Sequence, residues 1–577
     1  MENREIAAIF GQIADILELK EENPFRIRSY RRVEEALGNV GFNISRTILE
    51  DPDKLRGIPG VGEATFRKIL ELVETGACEE HRQLLSEVPE SLLTLLELQN
   101  LGPKKIALFW KQLGITTLEG LEEAATSHRL RTLSGMGEKS EAKILQAINE
   151  FRRREGRIRL DRAVETAQSF LDYLKDNAML DRLAVAGSVR RRQETIGDID
   201  ILVSSDQPPD VIEAFVRHPS VKEVLAQGGT KGSIVVGRGI HVDLRVVSDD
   251  SFGAALQYFT GSKQHNVALR ERAKRLGYKI SEYGLFDLGT GAQVAGHQEE
   301  DIYSRLELEF IPPELRENQG EIAKAEHHQI PNLIELGDFK GDLHMHTTDS
   351  DGRNSLEEMV EAGQRAGYEF IAITDHSKAL AMIGGLNEEE LVSQIQNVRA
   401  VRKSFPDIEV LTGIEVDILA DGTLDMQDEV LEMVDVVIAS IHSRFSLTRK
   451  EMTARICKAL QNPSVNILAH PTGRLILRRE RYEVDLEEVA RCASENRVCL
   501  EINAYPARLD LNDAHSRMVR DMGVLLSINS DAHSISMLDY MSYGVDTARR
   551  GWLESDDVIN TYTKNRLDKV LRKETYR

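Results

Sequence analysis

The sequence has 577 residues, of which 41% are hydrophobic and 29% charged, and its formal net charge is −22. A chain this long exceeds a single hydrophobic core, so we expect several domains of roughly 100–200 residues each, and the composition excludes wholesale disorder. No stretch approaches the roughly 18 apolar residues of a membrane span, and no signal-like segment follows the first methionine. Four cysteines without a C-x-x-C pair predict neither a disulfide framework nor a zinc ribbon, so we expect a cytoplasmic protein.

Residues 1–150 predict an almost wholly helical region, because apolar residues recur there at the spacing of amphipathic helices. Similar glycine-centred turns separate these helices at 55–62, 98–104 and 130–137. Glycine permits the tight turn, and the free N–H groups of the following helix can bind a phosphate. The repeated pattern resembles the helix-hairpin-helix motif, which contacts the DNA backbone, although such turns also end ordinary helices. The candidate DNA contacts are Gly60, Gly62, Gly102, Lys104, Gly135 and Gly137.

The periodicity changes after residue 182, where short β-branched runs predict a sheet that carries helices. Asp198 and Asp200 lie two residues apart on one predicted strand, so their carboxylates share a face, and Asp243 lies on a strand expected alongside. Like charges this close repel unless a divalent cation neutralises them, and oxygen ligands suit Mg²⁺ or Mn²⁺. Residues upstream can bind phosphate oxygens: Gly187, Ser188 and Arg191. The pattern therefore predicts metal-dependent phosphoryl transfer.

Segment 187–200 resembles the nucleotidyltransferase signature, and YFTGSKQHN at 258–266 is similar to the nucleotide-binding hinge of the family X DNA polymerases. The resemblance covers roughly the first 315 residues. It implies that Asp198, Asp200 and Asp243 bind the catalytic metals, with Asp243 near the primer 3′-hydroxyl. It also implies nucleotide or template contacts by Gly187, Ser188, Arg191, Gly197, Tyr258, Phe259, Gly261, Asn266 and Arg270.

The amino-terminal domain of that family sometimes removes a deoxyribose phosphate through a lysine Schiff base. Lys68 matches the nucleophile position, but Ala64 replaces a companion lysine and Arg26 stands where a further lysine is expected. A Schiff-base amine must be neutral part of the time, which requires burial or a cationic neighbour such as Arg67. Contact with a DNA phosphate is the alternative role of Lys68.

After residue 338, β-branched runs alternate with amphipathic helices and predict a β/α barrel-like domain. Six of the seven histidines in this region follow predicted strands, and the strand ends of such a barrel meet on one face. So many buried histidines cannot all be satisfied core residues, which indicates metal binding. Imidazole ligands favour Mn²⁺, Zn²⁺ or Fe²⁺, and the few carboxylates leave positive charge for phosphate oxygens. The pattern predicts a phosphoesterase.

This pattern resembles the PHP (polymerase and histidinol phosphatase) domain, which implies that three metal ions are bound. The implied ligands are His344, His346, Asp351, His376, Glu415, His442, His470, Asp531 and His533. Arg444 and Arg474 are candidates for binding a substrate phosphate, and Glu501 is a candidate for supporting a ligand. A family X polymerase joined to a PHP domain resembles bacterial and archaeal members of that family, which implies Mn²⁺-dependent 3′–5′ exonuclease activity and, in some members, cleavage at abasic sites.

We therefore expect a multidomain protein with α-helical domains, an α+β nucleotidyltransferase palm and a β/α barrel-like PHP domain. The expected domains are a helical DNA-binding, lyase-like domain at 1–80, helix-hairpin-helix fingers at 81–155, the palm at 156–250, a thumb at 251–315, a linker at 316–337 and the PHP domain at 338–577. The Glu-, Pro- and Asn-rich segment 306–336 predicts that the connection runs over the surface.

Such a chain is expected to fill short gaps during base excision repair, using gapped or primed double-stranded DNA and dNTPs. It is expected to act as a monomer at the nucleoid, without membrane contact. The alternatives are a nucleotidyltransferase for RNA or a small molecule, a phosphatase of histidinol-phosphate type, and a DNA-binding scaffold with vestigial sites. The repeated turns and the hinge argue against a nucleotidyltransferase for RNA or a small molecule. The intact acid triad argues against a phosphatase, and the complete ligand sets argue against a scaffold with vestigial sites.

Overall fold

The computed structural model describes residues 3–38, 44–50, 52–58, 60–89, 91–96, 98, 101–154, 156–237 and 239–574. The chain divides into two compact units, Met1–Glu155 and Gly156–Arg577. No helix within the described ranges is long and apolar enough to cross a membrane.

The first unit is helical, as its periodicity predicts. Its α-helices are α1 (Asn3–Leu19), α2 (Pro24–Gly38), α3 (Ile44–Glu50), α4 (Pro52–Arg56), α5 (Glu63–Thr75), α6 (Glu79–Ser86), α7 (Ser91–Leu96), α8 (Pro103–Leu113), α9 (Leu118–Thr126) and α10 (Glu138–Arg154). One hydrophobic core gathers side chains between residues 6 and 88. A second core gathers Leu19 with side chains between residues 92 and 148.

The predicted glycine turns each lead into a new helix. Gly62 and Gly102 are the N-cap residues of α5 and α8, and Gly137 directly precedes α10. Gly60 and Gly135 have φ angles of +92° and +77°, the left-handed region that glycine adopts without strain. All the predicted DNA contacts in these turns are exposed: Gly60, Gly62, Gly102, Lys104, Gly135 and Gly137.

The second unit begins with a mixed sheet in the strand order β2-β4-β7-β6-β5. The elements of this region are β1 (Ile158–Arg159), α11 (Leu160–Asn177), β2 (Arg182–Val185), α12 (Gly187–Arg190), β3 (Thr195–Ile196), β4 (Asp198–Ser204), α13 (Pro208–Val216), β5 (Val221–Gln227), β6 (Lys231–Val236) and β7 (Ile240–Val247). Strands β4 and β7 are parallel, and the other neighbours in the sheet are antiparallel. The edge strand β5 was not predicted, because its residues are mostly exposed and lack an apolar face.

A smaller α+β region follows the palm sheet. Its elements are α14 (Phe252–Thr260), α15 (Lys263–Arg275), β8 (Tyr278–Ser281), β9 (Gly284–Asp287), β10 (Gln293–Ala295), α16 (Glu299–Arg305) and α17 (Glu321–Glu326). The prediction that 306–336 runs over the surface is wrong at Arg316 and Glu321, which are fully buried. Arg316 pairs with Glu299 and Glu321 pairs with His265, so the segment is part of this region's core.

The carboxy-terminal region is a parallel seven-stranded sheet whose strands follow chain order. Its strands are β11 (Gly341–Asp342), β12 (Phe370–Ile373), β13 (Glu409–Asp417), β14 (Val436–Ser440), β15 (Ile467–Leu468), β16 (Cys499–Asn503) and β17 (Leu526–Asn529). Its helices are α18 (Leu356–Arg365), α19 (Glu388–Val401), α20 (Asp428–Leu431), α21 (Arg449–Leu460), α22 (Leu486–Asn496), α23 (Asp513–Asp521), α24 (Met541–Arg550) and α25 (Lys564–Leu571). A parallel bridge between Met345 and Ala532 brings the last strand beside the first, so the barrel is nearly closed.

One disulfide joins Cys457 on α21 to Cys492 on α22, with their Cα atoms 5.6 Å apart. The cysteine spacing did not predict this link, because the two residues meet only when the helices pack. Cys78 and Cys499 are free and buried.

Candidate active sites

The three predicted palm acids lie together at the edge of the sheet. Asp200 on β4 is paired in register with Asp243 on β7, and Asp198 is paired with His241. The intervening Ile199 is fully buried, whereas Asp198 is exposed and Asp200 and Asp243 are half-buried. The strand alternation therefore brings the carboxylates to one accessible face, as predicted.

The electrostatics of this acid cluster fit a divalent cation. Burial, together with the charges of Asp198 and Asp243, raises the pKa of Asp200 to about 7. Ser233 donates a hydrogen bond to Asp243, and Lys231 Nζ lies 3.4 Å from its Oδ2. A bound cation would remove the repulsion that raises this pKa, and carboxylate oxygens are the donors that Mg²⁺ and Mn²⁺ prefer.

Helix α12, which begins at Gly187 and leads into the palm loop (residues 191–194), approaches these acids closely. Gly187 has a φ angle of +62°, and a Cβ added there would lie 2.2 Å from Oδ2 of Asp200. Only glycine permits this approach. Ser188 follows in α12, and Gly197 directly precedes Asp198. Arg191 reaches from the loop to the carbonyl of Thr260, which lies in the predicted hinge.

The hinge aromatic residues lie beside the acid cluster. The guanidinium of Arg245 stacks over the Phe259 ring at 4.6 Å, and Tyr258 contacts Phe259 edge to face with ring centroids 5.2 Å apart. The positive charge of Arg245 also works to lower the pKa of Asp200, although burial and the neighbouring acids outweigh it. The structure thus brings the hinge and the acids into one site.

The remaining hinge residues hold the junction between α14 and α15. Gly261 ends α14 with a φ angle of +69°. The Asn266 amide donates to the Tyr258 carbonyl at 2.7 Å and accepts from Gln257 at 2.8 Å. Arg270 donates to the Asn266 carbonyl at 3.2 Å. Asn266 therefore fixes the hinge through its side chain in this structure.

All nine predicted PHP ligands meet at one end of the parallel sheet. Glu415 lies at the centre, 2.6 Å from Nδ1 of His376 and 3.1 Å from Nε2 of His470. Asp531 Oδ1 lies 3.2 Å from Nε2 of His346. The other ligands lie 3.4–3.6 Å from a carboxylate or imidazole of the set: His344, Asp351, His442 and His533.

Unpaired buried atoms indicate that this cluster is a metal-binding site. His344 Nε2 and His376 Nδ1 are buried without a hydrogen-bond partner, as is Oε2 of Glu415. His376 Nδ1 and Glu415 Oε2 lie close together yet lack hydrogen-bond geometry, as expected of two ligands aimed at one ion. Among the described residues, three sets have their ligand atoms within 4.8 Å of one another: His346, Asp351, His376 and His533; His344, His346 and Asp531; and His376, Glu415 and His442.

The pKa values in this cluster shift in both directions: burial alone would lower those of His344, His376 and His533, but the neighbouring carboxylates raise all three, that of His533 to about 9. Burial and the charges of His533 and His376 lower the pKa of His346 to about 3, so its ring is neutral. Burial alone would raise the pKa of Glu415, but the surrounding histidines, His376 first, hold that pKa well below its ordinary value. Divalent ions coordinate neutral imidazoles and ionised carboxylates, so metal binding would displace the protons that these carboxylates hold on His344, His376 and His533. The site therefore fits the predicted metal centre.

Comparisons with known proteins match this architecture along the chain. Family models match a helix-hairpin-helix domain at 1–78, a SAM-like helix-hairpin-helix tandem at 92–150, a DNA polymerase beta thumb at 255–317 and a PHP domain at 342–505. The DNA polymerase/3′-5′ exonuclease PolX of Bacillus subtilis (strain 168) is 40% identical over 575 residues, which is 99% of this chain and 100% of that protein. The chain belongs to the family X DNA polymerases that carry a PHP domain.

Family membership confirms the predicted fold class, with helical helix-hairpin-helix domains, a polymerase thumb and a barrel-like PHP domain. Smaller relatives cover only part of the chain. A probable phosphatase of Thermoanaerobacter sp. (strain X514) is 26% identical over 231 residues, which is 38% of this chain and 89% of that protein. A probable phosphatase of Acetivibrio thermocellus is 29% identical over 204 residues, which is 34% of this chain and 80% of that protein.

Several side chains that support the PHP ligands were not predicted. Asp417 Oδ2 lies 3.2 Å from Nδ1 of His442, and Asn503 donates to Asp531 at 3.0 Å. Asp417 and Asn503 each lie two residues after an acid on the same strand, so the strand period was a usable signal. Glu501, a candidate from the sequence, lies 2.8 Å from Nδ1 of His344 and therefore orients that ligand.

The two arginines predicted from the sequence to bind a substrate phosphate have different environments. Arg474 donates to Glu194 of the palm at 2.7 Å, and Arg444 is exposed, so their contact with phosphate stays a prediction. Arg508 was not predicted; its Nε lies 3.7 Å from Asp531 Oδ2 and is buried without a hydrogen-bond partner. Distant contacts such as the link between Arg474 and Glu194 carry no local sequence signal.

Lys68 in the first unit is already paired. Its Nζ lies 2.5 Å from Glu80 Oε2 and donates to the Tyr30 hydroxyl at 2.5 Å. Burial alone would lower the pKa of Lys68, but these partners raise it above the ordinary value. Arg26 also binds Glu80, at 2.7 Å. This environment keeps the Lys68 amine charged, the opposite of what a Schiff base requires.

Proposed function

We propose that this family X polymerase fills short gaps in DNA, on gapped or primed duplexes with dNTPs, and removes nucleotides from 3′ ends with its PHP domain. The observation that carries the proposal is the single accessible face shared by Asp198, Asp200 and Asp243 beside the hinge residue Phe259. The whole-chain similarity to a protein named as a DNA polymerase and 3′-5′ exonuclease supports it.

In the palm, we assign metal binding to Asp198, Asp200 and Asp243. Mg²⁺ or Mn²⁺ held there would supply the Lewis acidity for attack of a primer hydroxyl on the dNTP. The proposed contacts with the nucleotide and template are Gly187, Ser188, Arg191, Gly197, Tyr258, Phe259, Gly261, Asn266 and Arg270. Arg191 leaves its contact with Thr260 to reach a triphosphate oxygen, because a charge-assisted bond to phosphate is stronger than one to a neutral carbonyl.

In the PHP domain, three ions of Mn²⁺, Zn²⁺ or Fe²⁺ held by the nine ligands would supply the Lewis acidity for phosphodiester hydrolysis. Glu501 keeps the proton on Nδ1 of His344 and leaves Nε2 free to bind a metal. Arg508 is placed to contact a substrate phosphate through its unpaired Nε. We extend the proposal to cleavage at abasic sites, which presents the same phosphodiester chemistry.

The first unit is proposed to grip DNA, since the exposed turns present the backbone N–H groups of α5, α8 and α10 to solvent. The domain limits expected from the sequence, the monomeric state and the location at the nucleoid remain predictions. Lyase activity through Lys68 is also a prediction, and its pairing with Glu80 argues for a structural or phosphate-binding role instead. Borohydride trapping on an abasic 5′-phosphate substrate, compared between wild type and Lys68→Ala, decides between these roles.

One experiment tests the main proposal. A 5′-labelled primer on single-gap DNA is incubated with Mn²⁺, with and without dNTPs. We expect the primer to lengthen with dNTPs and to shorten stepwise without them. Shortening of the primer without any lengthening in the presence of dNTPs would indicate that the acid triad acts on another substrate. No change in either reaction, with phosphate released from simple monoesters, would favour a phosphatase like the smaller relatives, and no activity at all would favour a scaffold.

A further inference from the structure

The palm loop that carries the proposed triphosphate contacts is fixed by a side chain of the PHP region. Arg550, the last residue of α24, donates from Nη1 to the backbone carbonyl of Arg191 at 2.8 Å. The same Nη1 lies 3.3 Å from Oε1 of Glu317, and Nη2 donates to Asp513 at 2.6 Å. Only 7% of the Arg550 side chain is exposed. A buried cation therefore connects the palm loop, the end of the thumb and the start of α23.

Glu317 shares one carboxylate oxygen among several donors. Its Oε1 accepts from Nε of Arg191 at 2.9 Å and from Nε2 of Gln193 at 2.5 Å, in addition to its contact with Arg550. If Arg191 turns toward a triphosphate, Glu317 keeps a positive partner only because Arg550 is there. Without that partner, a largely buried carboxylate would be left uncompensated and would hold Arg191 back.

Two further contacts attach the same loop to the PHP region. Glu194 binds Arg474 at 2.7 Å, and Arg192 Nε lies 3.5 Å from Asp546 Oδ1 on α24. The loop is therefore supported from outside its own sheet along its whole length. A loop held in one conformation loses less conformational entropy when it binds a substrate.

We infer that Arg550 is a positioning residue for DNA synthesis, supplied by the PHP domain. It fixes the backbone at Arg191 and compensates Glu317, so that the loop meets the triphosphate of the incoming dNTP in a prepared conformation. This inference rests on the polymerase function proposed above, and it makes the nuclease domain a structural part of the nucleotide site.

The test is steady-state single-nucleotide gap filling by the full chain, with the Arg550→Ala variant. We expect the KM for dNTP to rise roughly tenfold with a smaller change in kcat, because the interaction prepares binding without touching the reacting atoms. Shortening of the same primer without dNTPs is expected to keep its wild-type rate, since Arg550 contacts none of the PHP ligands.

Arg549→Ala is the matched control. Arg549 is the neighbouring residue of α24 and also joins the PHP region to the thumb end, through Glu314 at 2.7 Å. Within the described part of the chain, it makes no hydrogen bond or ion pair with the palm loop. Its KM for dNTP is expected to stay within about twofold of wild type. An unchanged KM in Arg550→Ala, or an equal rise in Arg549→Ala, overturns the inference.

Arg550→Lys covers the case in which the alanine variant does not fold. Lysine keeps the charge but cannot bridge Arg191, Glu317 and Asp513 with one planar fork, so we expect an intermediate KM for dNTP with normal primer shortening. A wild-type KM in the lysine variant, or equal losses of synthesis and shortening, overturns the positioning role. A wild-type protein that does not extend primers overturns the proposed polymerase function itself, before any variant is compared.

Discussion

The palm and PHP sites differ in how their functional groups are held. The palm acids come from two neighbouring strands and remain accessible, and the loop beside them is fixed by ion pairs with the thumb and the PHP region. The PHP ligands lie at the ends of strands of one nearly closed barrel, most are buried, and several of their atoms lack partners. The setting of the palm acids therefore depends on distant residues, whereas one barrel supplies the whole set of candidate metal ligands.

The largest expected effect separates the two sites. We expect Asp198→Ala to reduce synthesis about 1000-fold or more and to leave primer shortening intact, since it removes a proposed metal ligand. His344→Ala is expected to do the reverse. Primer extension and primer shortening are measured on the same labelled substrate. Loss of both activities in each variant, with folding intact, would contradict two independent sites.

The second prediction concerns the buried ion pairs that hold α12, directly before the palm loop, to the thumb. Glu299 binds Arg190 at 2.7 Å and also pairs with Arg316. Burial alone would raise the pKa of Glu299, but the two arginines lower it to about 2. Because the pKa of Glu299 is lower in the folded state, ionised Glu299 adds about 3 kcal/mol to the free energy of unfolding at a pH above its unfolded-state pKa, near 4.5. This contribution is lost as the pH falls toward 2.

Urea unfolding of the full chain between pH 7 and pH 2 measures this loss. Glu299→Gln is expected to lower stability at neutral pH and to remove this part of the pH dependence. Glu300→Gln, an exposed neighbour, is the control. An unchanged pH profile in Glu299→Gln would show that this pair does not contribute to the free energy of unfolding.

The third prediction uses the close approach of Gly187 to Asp200. In Gly187→Ala, the new Cβ must displace the carboxylate that lies 2.2 Å from its position, and the φ angle of +62° adds strain. We expect synthesis to fall about 100-fold while primer shortening is kept. Gly229→Ala, in the hairpin between β5 and β6, has open space around the new methyl group and is expected to behave like wild type. Equal rates for the two variants would refute the close approach.

The smallest expected effect concerns the support of a PHP ligand. Glu501→Gln weakens the bond that orients His344, so the Mn²⁺ concentration needed for half-maximal primer shortening is expected to rise about tenfold. Synthesis should be unchanged. The control is Glu495→Gln, at an exposed position on α22. If both variants need the same Mn²⁺ concentration for half-maximal primer shortening, Glu501 does not support metal binding.

Local spacing predicted the palm acids and the histidines at the strand ends, whereas the full set of nine PHP ligands came from the family resemblance. Asp198 and Asp200 share a face because side chains alternate along a strand, and the PHP histidines meet because the ends of parallel strands converge. The same alternation could have identified Asp417, two residues after Glu415. The edge strand β5 escaped prediction because an exposed strand needs no apolar face.

The sequence by itself predicted the helical turns, the acid triad and the histidines at the strand ends, because each follows from a short pattern within one helix or strand. Tertiary structure alone decided what the charged residues around them do. Arg550 meets the Arg191 carbonyl across 359 positions and Arg474 meets Glu194 across 280, while Arg316 is buried in a segment that composition describes as a surface linker. A long side chain can pair with any acid that folding brings near, so its partner is fixed by packing between distant elements.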